Sequence, residues 1–482
     1  MSPSSQKLNA LTTTRFIAAL SVVFYHGGDG LYLLSLFPIR PLLTSGFTAV
    51  NYFYVLSGFV MALAYYRPGQ KFDFRSYWTA RFSRIYPLYI FSFVITCLYY
   101  LEIMGKVNSD KIWANVLLYQ AWIPRYALSF NFASWSLAVE AFFYILFPFL
   151  VIFAMRQPPK RLIWMSIGFW VVSQLAHSAI GMWLGLDARL FLTYFPPFHL
   201  NSFLLGVAGG VWYLSEAPRH PHKTSTNLAW MAFSLIIVAA ALIVQRFSLL
   251  PVRTFSFNVG LLAPFFLIFV LTLALDGTRI SKVLGHPALV LLGDASYALY
   301  ILHIPVRWIM ERYLASIGAT MTYGQFFGFL YLPFLLTVSV LTFLYLERPA
   351  RDWLRHNMHK LPLMLLDLGL VAGALWVSFN MLLGSETSNL PRTETYALRI
   401  GLAIFFTSLL IFRYYNTASW KSLTFAILLS AVLWTGFMYL AWLGGWIEVF
   451  PRVVLAFTTA IVFAAIIGSR ILIRRLAPAS LV

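Results

Sequence analysis

An arginine and a histidine stand in the first apolar stretch of the chain, Leu8 to His26, where a helix facing lipid would carry neither. Arg15 and His26 are eleven residues apart. At about 100° per residue that is three turns plus roughly 20°, so both leave one helical face about 16 Å apart along the axis. Ionisable groups at that depth are costly unless they meet a polar cavity or a partner. Imidazole titrates near neutrality and accepts a proton from a hydroxyl, which makes His26 a candidate general base. Arg15, charged at all ordinary pH, suits an anionic substrate or a developing oxyanion. The spacing by itself is equally that of a histidine packed between helices.

Other polar residues in apolar runs extend the set. Asn51-Tyr52-Phe53-Tyr54-Val55-Leu56-Ser57-Gly58-Phe59 sets Asn51 and the Ser57 hydroxyl in a second run; either contacts a substrate, or Ser57 and Gly58 simply let two helices approach. Arg81-Phe82-Ser83-Arg84-Ile85-Tyr86-Pro87 carries two arginines three apart on one face, ahead of the third run. Their planar forks suit phosphate oxygens, and they also fit positive-inside anchoring. The fourth run opens Ser134-Trp135-Ser136 and continues to Glu140 and Tyr144. Ser136 and Tyr144 lie one turn before and after Glu140, and a carboxylate one turn into a membrane needs a partner or a function. Glu140 is therefore a candidate to orient His26 or hold a substrate hydroxyl, with Trp135, Ser136 and Tyr144 beside it. The segment from Gly293-Asp294-Ala295-Ser296-Tyr297 to His303-Ile304-Pro305 adds His303 as a substrate contact, or as a structural hydrogen-bonding group. Glu347-Arg348-Pro349 reads as a local ion pair at the tenth run's cytoplasmic end.

These residues need helices to hold them. Of 482 residues 60% are hydrophobic and 11% charged, which places the chain among polytopic membrane proteins. About fourteen apolar runs, long enough to cross a bilayer as helices, lie near 8–27, 46–66, 85–104, 135–155, 162–184, 196–215, 227–245, 257–275, 289–308, 325–346, 361–383, 397–412, 423–443 and 452–470. The expected fold is an all-α integral membrane bundle. Lys and Arg, in a net charge of +19, concentrate in alternate connections such as Arg67 to Arg84. That bias puts both termini in the cytoplasm and explains the charge without nucleic acid. Cys97, the one cysteine, excludes an intrachain disulfide and a multi-cysteine metal site, and no metal is expected. The first run lacks a cleavage site and reads as a retained helix. The connection Lys106 to Ser134, with Trp113, Tyr119, Trp122 and Tyr126, reads as partly a helix lying in the interface. Beyond Lys360 intramembrane charge nearly vanishes, so residues 1–360 are expected to form a ten-helix unit and 361–482 a four-helix accessory bundle.

In their order along the chain, the Arg-x10-His face, the aromatic-Val-Leu-Ser-Gly-Phe run, Arg-x-x-Arg-x-x-Pro, Ser-Trp-Ser-Leu-x-x-Glu, Asp-Ala-Ser-Tyr-x-Leu-Tyr-x-Leu-His and Glu-Arg-Pro resemble the membrane acyltransferase-3 family of O-acyltransferases that decorate bacterial glycans. The resemblance covers about residues 8 to 355. It implies a multi-pass protein of the bacterial cytoplasmic membrane, with cytoplasmic acyl-CoA, most often acetyl-CoA, as donor and a hydroxyl of a glycan or lipid-linked sugar as acceptor; a homo-oligomer is compatible with it. It further implies Arg15 and His26 as the essential pair, Arg81 and Arg84 as the donor-binding motif and Glu140 as the acid. The family often has Asp where this chain has Asn51, and some relatives carry an extracytoplasmic hydrolase-like domain where 361–482 is apolar. The rival reading is a transporter or flippase of a lipid-linked glycan, in which the same buried charges line a path.

Overall fold

The computed structural model describes residues 3–27, 46–104, 108–184, 189–219, 223–246 and 257–360, with position 366. The chain divides into two compact units, Met1–Arg355 and His356–Val482, and every candidate residue belongs to the first. The four runs expected beyond residue 360 lie outside the described residues.

Every described element is helical, with no strand among the described residues. Helix α1 spans Pro3–Gly27, α2 Ala49–Tyr65 and α3 Phe74–Met104. The short α4, Ser109–Val116, is capped by the Asn108 side chain, which accepts from the amides of Asp110 and Lys111 at 2.8 and 3.3 Å. It stands where the sequence suggests an interfacial helix, and 3-10 turns at Gln120–Trp122, Pro124–Tyr126 and Phe132–Ser134 follow it. Then come α5 Trp135–Ala154, α6 Pro159–Leu184, α7 Arg189–Tyr194, α8 Leu200–Ser215, α9 Thr224–Arg246, α10 Ala263–Leu275, α11 Arg279–Leu284, α12 Pro287–Asp294, α13 Ser296–Ser316 and α14 Tyr323–Lys360.

Two expectations change. Six helices among the described residues are long and apolar enough to cross a membrane, or seven if α12 and α13, bent by 55°, form one broken span. The count of fourteen is thus not confirmed among the described residues, since four of those runs lie outside them. Helix α1 falls short because Asn9, Thr12, Thr13, Thr14, Arg15, Ser21 and His26 dilute it, and α8 and α10 have only 16 and 13 residues. The third run also starts at Phe74 instead of 85. Asp73 provides the start, its carboxylate accepting from the Ser76 amide at 3.0 Å. Arg81 and Arg84 thus lie within α3, not ahead of it.

Small residues and prolines set the packing. A Cβ at Gly58 would stand 2.2 Å from the Phe203 carbonyl oxygen and one at Gly206 2.0 Å from that of Val55, so α2 and α8 touch backbone to backbone. Prolines inside helices leave carbonyls without their amide four residues on, and α3 supplies partners for two of them. Pro148 frees the Tyr144 carbonyl, which accepts from the Tyr77 hydroxyl at 3.1 Å. Pro305 frees that of Ile301, which accepts from Ser92 at 3.2 Å and from the Asn131 amide at 2.7 Å. These bonds tie α3, α5, α13 and the 132–134 turn to one another. Those elements carry most of the candidate residues.

Candidate active site

A cavity of about 490 Å³ opens between α1, α2, α3, α5 and α13, and seven of the residues singled out from the sequence line it: Arg15, Ser57, Arg81, Arg84, Ser136, Glu140 and Tyr144. Helix α2 contributes a stripe at Val50, Phe53, Tyr54, Ser57, Val60, Met61 and Ala64, the spacing of one helical face. Gly58, about 100° further round the helix, meets α8. The requirement for close packing at Gly58 and the exposure of Ser57 to the cavity are therefore both met.

The charged groups divide by how they are held. Arg81 is fixed: its guanidinium donates to Met61 Sδ at 3.2 Å and to the Tyr65 hydroxyl at 3.3 Å, and lies 5.5 and 5.6 Å from the Tyr65 and Tyr144 ring centres. Its Nε is buried without a partner among the described residues. Arg15 and Arg84 make no hydrogen bond or ion pair with described residues, although Arg84, Glu140, Asp294 and Glu347 all lie within electrostatic reach of Arg15. Glu140 Oε1 accepts from the Tyr144 hydroxyl at 2.5 Å and from Ser57 at 3.4 Å. The cavity thus presents two uncommitted guanidinium groups and one anchored one, with a carboxylate already occupied by hydroxyl donors. It can receive an anionic or strongly polar ligand.

His26 is not on this wall. Its Nδ1 lies 2.9 Å from Nε2 of His303, the two rings stack with centres 5.1 Å apart, and Phe132 meets the His26 ring edge-on at 5.0 Å. Arg307 donates to the His26 backbone carbonyl. The partner of His26 is therefore His303, from α13, while Glu140 serves the cavity. His303 itself is 1% exposed, and its neighbour is an imidazole where the sequence suggests a substrate.

Two further candidates, Asn51 and Trp135, are not on the cavity wall. Asn51, 1% exposed, donates to the carbonyls of Phe257 and Asn258 at 3.1 and 2.8 Å and so ties α2 to the turn before α10. Trp135 meets Tyr194 edge-on and His199 at a tilt, with ring centres 4.9 and 5.3 Å apart, away from the cavity wall. Its ring is used to pack α5 against α7 and the turn after it. Ser136 stays, with its Oγ 2.7 Å from the Tyr300 hydroxyl and both facing the Ala133 carbonyl at 3.1 Å.

Residues of the Asp-Ala-Ser-Tyr-x-Leu-Tyr-x-Leu-His motif other than His303 also line the cavity. Asp294, Ser296, Tyr297 and Tyr300 come from the bend between α12 and α13; the one-turn spacing of Tyr297 and Tyr300 is the available signal. A second cavity of about 420 Å³ is lined by Asn9, Arg348 and Arg351, and shares Asp294 with the first. Among the described residues no group of three or more His, Cys, Asp or Glu could hold a metal.

Comparison with known proteins adds a family. Residues 8–348 match the model described as "Acyltransferase domain". The chain is 29% identical to "Acyltransferase MdmB" of Streptomyces mycarofaciens over 327 residues, covering 64% of this chain and 80% of that protein. It is 24% identical to "O-acetyltransferase OatA" of Staphylococcus aureus strain NCTC 8325 over 384 residues, covering 72% of this chain and 58% of that one. The chain thus spans little more than half the length of the staphylococcal relative. No solved structure matches it.

Proposed function

The chain belongs to this acyltransferase family, and on that premise we propose that it moves an acyl group, most simply acetyl, from cytoplasmic acyl-CoA to a hydroxyl of a glycan or lipid-linked sugar at the bacterial cytoplasmic membrane. The observation that carries the donor is the cavity with Arg15 and Arg84 uncommitted and Arg81 braced between two tyrosines. Guanidinium forks in a site of restricted water hold phosphate and carbonyl oxygens strongly. Arg348 and Arg351 on the neighbouring cavity extend the basic surface toward the start of α1, where Asn9 lies.

Position along α1 then assigns the steps. Asn9 borders the second cavity, Leu11, Thr12 and Arg15 the first, and His26 closes the helix at the far end. The donor's anionic end belongs with the arginines, and its thioester arm points along α1 toward His26. There the acceptor hydroxyl loses its proton to the imidazole as its oxygen attacks the thioester carbon, the carbon–sulfur bond breaks, and the proton passes on to the departing sulfur. Arg15, about 16 Å from His26 along the helix, guides the arm; it is too distant to hold the oxyanion. Ser57, Ser136 and Tyr144 give the cavity hydroxyl groups for the polar arm, and Glu140 fixes two of them.

The test is thiol release from acetyl-CoA by the full chain purified into lipid nanodiscs, with and without a membrane glycan extract. Glycan-dependent release that disappears in both His26→Ala and Arg84→Ala supports the reading. If neither acetyl-CoA nor a longer acyl-CoA is consumed or bound, the donor assignment fails and transport of a lipid-linked glycan becomes the better account.

A further inference from the structure

His303 reads from the sequence as a substrate contact, yet its surroundings define a different task. Its Nδ1 lies 2.5 Å from the Tyr300 carbonyl oxygen. A carbonyl can only accept, so Nδ1 carries the proton, and in a neutral ring Nε2 is then a bare acceptor. That acceptor faces His26 Nδ1 at 2.9 Å. His26 must therefore donate from Nδ1, which leaves its own lone pair on Nε2, an atom with no hydrogen-bond partner among the described residues. The alternative, a charged His303, would bury a second cation beside Arg307, in a side chain 1% exposed whose polar contacts are a carbonyl and an imidazole.

The backbone of α13 is held so that this chain of donors keeps its direction. The Tyr331 hydroxyl donates to the His303 carbonyl at 2.7 Å, and Asn131 and Ser92 occupy the Ile301 carbonyl that Pro305 leaves open. Phe132, one residue from Asn131, covers the His26 ring edge-on. Ring positions and ring tautomers are thus set from the same few elements.

Resting on the acyl-transfer reading of His26, we propose that His303 is a positioning residue: it fixes His26 as the Nδ1–H tautomer, so that Nε2 is the atom that takes the acceptor's proton. Two imidazoles in series take the place of a histidine and a carboxylate. When the acceptor proton reaches His26 Nε2 the ring becomes an imidazolium, and its Nδ1–H bond to the neutral His303 strengthens. When the carbon–sulfur bond has broken, the Nε2 proton leaves with the thiol and both rings return to their starting forms.

Two measurements test this on the full chain in nanodiscs. Nitrogen-15 spectra of histidine-labelled protein, with His26 identified by its disappearance in His26→Ala, are expected to show Nδ1–H for His26, and a mixture of tautomers in His303→Leu. Thiol-release kinetics are expected to show kcat lowered about 10²-fold in His303→Leu with KM for acetyl-CoA unchanged, and mostly recovered in His303→Gln, whose amide oxygen can accept from His26. An Nε2–H tautomer at His26 in the unaltered protein overturns the proposal, as does wild-type kcat in His303→Leu. The spectra need no turnover, so a protein that releases no thiol would sink the acyltransferase reading and leave the tautomer assignment to be decided separately.

Discussion

Arg84→Gln separates donor binding from stability, because Arg84 and Arg81 stand on one face of α3 and are held differently. Arg84 makes no hydrogen bond to a described residue and lines the cavity beside Arg15. Its replacement leaves no buried group unpaired and removes one cation from the place where the donor's anionic end is expected. A charge-assisted hydrogen bond of this kind contributes about 1.5–3 kcal/mol, which corresponds to a loss of roughly 10- to 150-fold in affinity. Arg81 has contacts with Met61, Tyr65 and Tyr144, so Arg81→Gln should lower the melting temperature as well as affinity. Binding of free CoA to the protein in nanodiscs, followed calorimetrically and paired with a melting curve for each variant, reads both quantities. The weakened affinity should also depend less on ionic strength, since one screened charge interaction is gone. The reasoning fails if Arg84→Gln binds CoA like the unaltered protein, or if it melts as early as Arg81→Gln.

Other contacts lead to further expected outcomes. Tyr77→Phe leaves the Tyr144 carbonyl unpaired and should cost about 1–3 kcal/mol of stability, whereas in a Pro148→Ala background, where an amide is restored to that carbonyl, the same change should cost little; equal losses in both backgrounds, read from melting or denaturation, would show that Tyr77 acts elsewhere. Gly58→Val drives a side chain into the Phe203 carbonyl and should destabilise the protein by about 3 kcal/mol or more, with a sharp loss of monodisperse material on size-exclusion chromatography. Trp135→Phe should keep CoA affinity and thiol release unchanged, since the indole packs on Tyr194 and His199; a tenfold fall in acceptor-dependent rate would return Trp135 to the site. Glu140→Gln keeps an acceptor for Tyr144 and should change CoA affinity less than Glu140→Leu, which strands two hydroxyls.

The cavity residues are legible in the sequence because each is a polar side chain in an otherwise apolar helix, and the helical period fixes which of them share a face. Ser136, Glu140 and Tyr144 are one turn apart, and they do line one wall. What the period cannot supply is the identity of a partner on another helix. His26 and His303 are 277 positions apart, and nothing local distinguishes an imidazole that meets substrate from one that meets another imidazole. The partners of Asn51 are hidden for the same reason: the carbonyls that use its amide belong to residues 257 and 258. The start of α3 is hidden because Arg75, Arg81 and Arg84 mask the apolar signal of Phe74 and Tyr77, though Asp73 is a recognisable cap. The prolines are visible, but that Tyr77, Ser92 and Asn131 answer them is a property of packing.

Helix α1 is what makes the separated groups one machine. It is unbroken from Pro3 to Gly27, so the distance from the Arg15 level to the His26 level is set by backbone hydrogen bonds and cannot collapse as a loop could. Gly293 lets α12 press against it: a Cβ there would stand 2.2 Å from the Thr12 carbonyl oxygen. At the far end Arg307 of α13 holds the His26 carbonyl. The bent pair α12 and α13 therefore grips α1 at both levels, with Asp294, Tyr297 and Tyr300 lining the cavity between. On the proposed reading, a donor bridging that interval would meet cations at one end and an imidazole at the other without either group having to move. On the proposed acyl transfer, this arrangement would let a donor held at the arginine end deliver its acyl group to the His26 end, and the polar residues that shorten the apolar run of α1 would mark the two levels.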